Sequence, residues 1–364
     1  MNKQVKQLIG LGLAGAAAGA AAFGLYRATH PSEAKGAPAP GGTRRRRDLT
    51  DDLFDMPDGV TYGDIDTPDG GTIHYAEKGS GRPLVLFHGV TLRHDVWAPQ
   101  FQMLADQYRV IAVDLRGHGR SEVGSLGLGL PRLATDVATL LEALDLRDAV
   151  LVGHSMGGMT LMRFCGDHVD VLDERVAGIA LVATAAYGTV PPLLAGASRR
   201  LLDRGARQVA GGRALPATGL LNRRAVRMVF GDAPSPRAID IVTRMTTSMD
   251  DAHLIGSIQG IVEHDARDAL RATRTPSLVV VGTRDTLTPV PMSRRMARLM
   301  PGCEFVVLPR AGHQLMQERP NELADLIDAL VARIEGDVET VAEAVEADGG
   351  PVSADQVEQP VEPT

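Results

Sequence analysis

Short apolar runs bounded by Gly, Pro and charged residues recur through the middle of the chain, with helix-like stretches between them. Residues 61–77 alternate apolar and polar and hold Asp69-Gly70-Gly71 at their centre, which predicts a hairpin. Continuous apolar runs of the buried-strand kind follow at 83–87, 110–113, 149–152 and 178–183, then at 277–282 and 305–308. Residues 133–144 carry a helical period instead. Strands alternating with helices predict right-handed crossovers and an α/β fold, a mostly parallel central sheet flanked by helices. The strand rhythm stops after Ala183 and resumes at Ser277. The interval 187–270 is therefore expected to form an inserted helical cap, with the core in 59–186 and 271–334.

The run at 149–152 ends in Gly153-His-Ser-Met-Gly157, with helix-like sequence behind it. A strand turning sharply into a helix at Gly-x-Ser-x-Gly lifts the serine out of the sheet, and the glycines admit a turn that a β-carbon would block. Ser155 is thus the candidate nucleophile. A nucleophilic serine needs a base, and the base a carboxylate to orient it. Asp285 follows the run at 277–282 and His313 the run at 305–308, so each lies at the carboxyl end of its own strand. In a parallel sheet those ends share one edge. Of the ten histidines, His313 alone lies beyond Asp285. The developing oxyanion would be met by the backbone N–H groups of Val90, after the His88-Gly89 turn, and of Met156, next to the nucleophile. His88, His118 and His154 are read as structural. No His-x-x-x-His, Cys-x-x-Cys or carboxylate cluster points to a metal, and no cofactor is expected.

These motifs make the chain resemble the cap-bearing α/β-hydrolases, a group that includes esterases, monoacylglycerol lipases, cofactor-free perhydrolases and C–C bond hydrolases. The likeness rests on His88-Gly89, Asp114-Leu-Arg-Gly-His-Gly-Arg-Ser121, Gly153-His-Ser-Met-Gly157, Asp285 and His313, and spans about 60–333. It implies an α/β-hydrolase fold and a serine hydrolase cleaving carboxylic esters through Ser155, His313 and Asp285. The partner would be a small-molecule ester or lipid. Peracid formation or C–C cleavage on the same triad is the alternative, and a non-catalytic ligand-binding protein the second. Ser155 stands where epoxide hydrolases and haloalkane dehalogenases carry an aspartate, which removes that branch.

Composition narrows the setting. The formal charge is −7, but the nine carboxylates from Glu335 onward account for more than all of it and leave about +2 on the rest. Near-neutrality argues against nucleic acid as a partner. Residues 335–364, acidic and without an apolar period, are expected to be disordered. Lysine is scarce and arginine abundant in an Ala/Gly-rich chain, a pattern taken as bacterial coding bias. Cys165 and Cys303 read as small buried residues.

Residues 1–28 open with Lys3 and Lys6 and then run uncharged over the 19 residues from Leu8 to Tyr26. As a helix these would measure ~28 Å, against a bilayer core of ~30 Å. The length favours a membrane anchor through 8–26, in the cell envelope; export by a cleaved signal is the alternative. Residues 29–58 form a Pro/Gly/Arg-rich linker containing Arg44 to Arg47. In the cap, 193–209 places Leu193, Leu194, Ala197, Leu201 and Val209 on one side and Arg199, Arg200, Arg204 and Arg207 on the other. That stretch is either a solvated cap helix or a basic lid resting on lipid. Met228, Met245 and Met249 are expected to fill the cap's core or line an acyl pocket, and Trp97 to pack beneath the cap. The sequence carries no signal for oligomeric state.

Overall fold

The computed structural model describes residues 49–188, 200, 202–207 and 223–336. Eight strands form one sheet: β1 (Thr61–Asp66), β2 (Thr72–Lys78), β3 (Pro83–Phe87), β4 (Arg109–Val113), β5 (Ala149–His154), β6 (Val176–Val182), β7 (Ser277–Gly282) and β8 (Glu304–Leu308). Their order is β1-β2-β4-β3-β5-β6-β7-β8. β1 and β2 pair antiparallel, β2 runs antiparallel to β4, and every later pairing is parallel. This is an α/β-hydrolase fold.

The apolar runs are continuous because both sheet faces are covered. Successive side chains part to opposite sides: Leu84, Leu86, Val110, Ala112, Val150, Val152, Leu278 and Val280 enter one core layer. Val85, Phe87, Ile111, Val113, Leu151, Val279 and Val281 enter the other. Helix Leu130–Ala143 starts three residues ahead of the expected period, with Pro131 in its first turn. Helix Pro320–Glu335 closes the described chain and ends at Gly336 in a left-handed conformation. The segment between β6 and β7 leaves and returns at one place. Ala266 N–H donates to Ala186 O at 2.9 Å, and Tyr187 bridges to Asp265. Its described helices are Arg223–Arg227, Pro236–Ser248, Asp251–Glu263 and Arg267–Ala272. Residues 200 and 202–207 are helical too, with Arg200, Arg204 and Arg207 exposed; the rest of 193–209 lies outside the described residues.

Trp97 is fully buried in the layer that also takes Val226, Phe230, Ile239 and Met245 from the cap. Met228 departs from both expectations, being 69% exposed. Burial pushes the thiols of Cys165 and Cys303 up to about 12. Among the described residues no helix is long and apolar enough to cross a membrane. The segments 1–28 and 337–364, and most of the 29–58 linker, lie outside those residues.

One buried ion group ties the hairpin turn to the core. Arg116, 3% exposed, donates to Asp69 at 2.7 and 3.0 Å and to Asp136 at 2.6 and 2.8 Å. The hydrogen bonds from Arg116 and from Thr67 hold the Asp69 carboxyl well below its usual range. Burial pushes Asp136 the other way despite the same guanidinium. Removing the cation would strand two buried carboxylates. Arg116→Ala should therefore lower unfolding free energy by about 3–5 kcal/mol, read from urea denaturation. An unchanged midpoint would show that the group contributes nothing.

Candidate active site

β5 runs to His154, and Ser155 follows at φ 52°, ψ −116° before helix Met156–Asp167 begins. A residue other than glycine at positive φ is costly, of order 1–3 kcal/mol, and persists only where neighbours over-determine it. Those neighbours are visible. Ser155 N–H donates to Val182 O at 3.0 Å, while Ser155 O accepts from Thr184 Oγ1 at 2.7 Å and from Met159 N–H at 3.1 Å. Gly157 is required by close approach, since a Cβ there would stand 2.3 Å from Phe87 O. The helix thus starts at Met156, earlier than helix propensity suggests, with Gly157 pressed onto the end of β3 and Gly158 onto Thr184 and Gly153.

Asp285 follows β7 and is fully buried. Its Oδ1 accepts the Leu287 and Thr288 N–H groups at 2.8 and 2.9 Å, and its Oδ2 accepts Thr288 Oγ1 at 2.8 Å. His313 Nδ1–H completes the set at 2.9 Å to Oδ2. Burial opposes ionisation here, but His313 and the two Thr288 donors outweigh it and hold the Asp285 pKa below its ordinary value. With Nδ1 donating to a carboxylate, the lone pair of His313 lies on Nε2. The ring is 3% exposed.

The loop carrying His313 is pinned on both sides. Its own N–H donates to Val229 O of the cap segment at 2.7 Å. Its carbonyl accepts His154 Nε2–H at 2.9 Å, with the two rings 4.8 Å apart. His154, read as structural from the sequence, joins the residue before the elbow to the third strand end. Burial and the nearby His313 ring lower its pKa well below the ordinary value, so it remains neutral. Glu318 is a residue that sequence reasoning did not single out. Its carboxylate accepts Gly231 N–H at 2.6 Å, Gly312 N–H at 3.0 Å and Gln314 N–H at 3.2 Å, bracketing His313 and binding it to the cap.

The turn after β3 closes the other flank. A Cβ on Gly89 would lie 3.0 Å from Ser155 Cβ and 2.9 Å from His154 Nδ1, so this backbone rests against the elbow. Among the described residues neither Val90 N–H nor Met156 N–H donates a hydrogen bond. Thr91 Oγ1 meets Thr246 Oγ1 of the cap at 3.1 Å. His88 is structural in its contacts: Nε2 accepts Leu115 N–H at 3.0 Å and Nδ1–H donates to Gly89 O at 2.7 Å. Burial, its leading cause, takes the His88 pKa down to about 3.

Three comparisons bear on this geometry. A family model described as alpha/beta hydrolase fold matches residues 82–320. A non-heme haloperoxidase of Rhodococcus erythropolis is 32% identical over 263 residues, covering 68% of this chain and 92% of that one. Among solved structures, a thermophilic esterase from Thermogutta terrifontis is 28% identical with a TM-score of 0.65, covering 75% of this chain and 99% of its own. Est816, described as an N-acyl homoserine lactone degrading enzyme, is 28% identical with a TM-score of 0.61, over 73% and 99% of the two chains.

The depressed pKa of Asp285 has a thermodynamic signature. A carboxyl whose native pKa lies below its unfolded value of about 3.9 contributes stability that is present above that value and lost as pH falls through the native one. Wild-type protein should thus lose more unfolding free energy than Asp285→Asn as pH drops from about 5 into that window. Parallel pH profiles from chemical denaturation would contradict it.

Proposed function

The chain belongs to the α/β-hydrolase fold family, and from that premise we propose that it is a serine hydrolase cleaving carboxylic esters. The observation that carries this reading is the buried Asp285–His313 pair, bonded at 2.9 Å, whose loop is joined through His154 to a strained Ser155. Ser155 Oγ attacks the ester carbonyl while His313 Nε2 takes its proton. Asp285 holds the ring and stabilises the imidazolium as it forms. The carbonyl oxygen becomes an oxyanion facing Val90 and Met156 N–H; donors of this kind are typically worth ~100- to 1,000-fold in rate each. His313 then protonates the departing alkoxide, leaving an acyl-serine. Water repeats the sequence, its proton going to His313 and back to Ser155, and a carboxylic acid is released.

The similarity to a haloperoxidase supports a second reading on the same residues, in which hydrogen peroxide replaces water at the acyl-enzyme and a peracid leaves. Ser155→Ala should abolish turnover of p-nitrophenyl esters and labelling by a fluorophosphonate probe in either case. Full activity in that variant would move the nucleophile elsewhere. An ester chain-length series with and without peroxide separates the two: peracid output above ester hydrolysis favours the second.

Membrane attachment through residues 8–26 is proposed from their length and lack of charge alone. Full-length protein should sediment with membranes and a form lacking 1–28 should not. Both remaining in the supernatant would dispose of the anchor.

A further inference from the structure

At the flank of the same sheet edge, three side chains from separate segments converge. His74 lies on β2, opposite Asp64 of β1. His94 opens the short turn His94–Trp97 beyond the Gly89–Val90 loop, and Asp114 follows β4. One potential ligand atom from each lies within 4.8 Å of the other two. None of the three takes part in the proposed ester cleavage, and the inference does not rest on that reading.

The His74 ring is 1% exposed. Its Nδ1–H donates to Asp64 Oδ1 at 2.7 Å, which leaves the lone pair on Nε2. That Nε2 is buried and takes no hydrogen bond among the described residues, with the His94 ring edge-on at 5.5 Å. Buried polar atoms are nearly always satisfied, so an orphaned imidazole lone pair beside another imidazole and a carboxylate wants an acceptor of electron pairs. His94 Nδ1 sits 3.0 Å from Asp114 Oδ1. The same Oδ1 accepts the His94 backbone N–H at 2.7 Å, and Oδ2 accepts Arg120 N–H at 2.9 Å, so the carboxylate is fixed in place beside the two rings.

We propose that His74, His94 and Asp114 bind a divalent transition cation of the zinc class. Two imidazoles and one carboxylate form a borderline donor set that suits Zn²⁺, whereas Mg²⁺ and Ca²⁺ favour oxygen-rich shells of six or more. Metal-ligating histidines characteristically donate their other ring N–H to a carboxylate, and Asp64 occupies that position on His74. Three protein ligands leave a coordination position for water. Tyr62 stacks on His74 at 5.9 Å and presents its ring to His94 at 5.8 Å, covering the cluster, while the 60% exposure of the Asp64 side chain leaves a polar approach. A bound cation would tie β2 to the segment that continues from the Val90 turn and to the end of β4.

The test uses tag-free full-length protein stripped with EDTA and titrated calorimetrically with ZnCl₂ and with MgCl₂. CoCl₂ is added in parallel and followed by visible d–d absorption. One equivalent of Zn²⁺ and no Mg²⁺ should bind, with Co²⁺ bands typical of low coordination number. His94→Ala should abolish both signals. Asp64→Asn, a change at an exposed side chain, should weaken Zn²⁺ by ~10- to 100-fold through His74. It decides the matter even where His94→Ala fails a circular-dichroism check of folding. Absence of Zn²⁺ uptake by wild type, or equal affinity in Asp64→Asn, overturns the proposal.

Discussion

The backbone of Ser155 sits in a conformation that a serine left to itself would not keep, and the rest of the site is arranged around holding it there. Val182 and Thr184 at the end of β6 take its N–H and its carbonyl. The helix behind it lies so close to β3 that Gly157 has no room for a side chain. The resulting turn sets Ser155 just beyond the carboxyl end of β5, with the N–H of Met156 beside it unbonded among the described residues. Loosening the packing would let the dihedrals relax, and the serine would sink back toward strand geometry. Stability and reactivity meet in the same few contacts.

Fixed groups then gather around that residue without large motions. Asp285 meets His313 because β7 and β8 are neighbours and end at the same edge. The carboxylate is satisfied by four donors before any substrate arrives, so the imidazole is held against a charge that will not wander. Two other buried histidines, His88 and His154, are kept neutral by burial and act as hydrogen-bonding struts. A neutral imidazole can donate on one side and accept on the other, which suits it to bracing backbone in a dry interior.

Legibility in the sequence followed the range of the contacts. Strands announce themselves by local apolar runs, and each of β3 to β8 falls within two residues of where those runs lie. Chain order and strand ends are local signals that single out Ser155, Asp285 and His313, and the structure bonds the latter two directly. Glu318 carried no such mark: five residues past His313, it looks like any helix-terminal acid until the cap backbone arrives beside it. His74, His94 and Asp114 failed every local spacing rule, since a strand, a turn and a second strand end supply one group each. Met228 misled for the opposite reason, an apolar side chain that the turn after helix Arg223–Arg227 leaves facing solvent. Arg199 and the terminal segments rest on composition alone.

The bonds from Val229, Gly231 and Asp232 to the loop of His313 carry one more consequence. This seam behaves as the hinge side of a door. Swinging the roof about it would leave the imidazole in register, whereas lifting the roof from it would draw His313 away from Asp285.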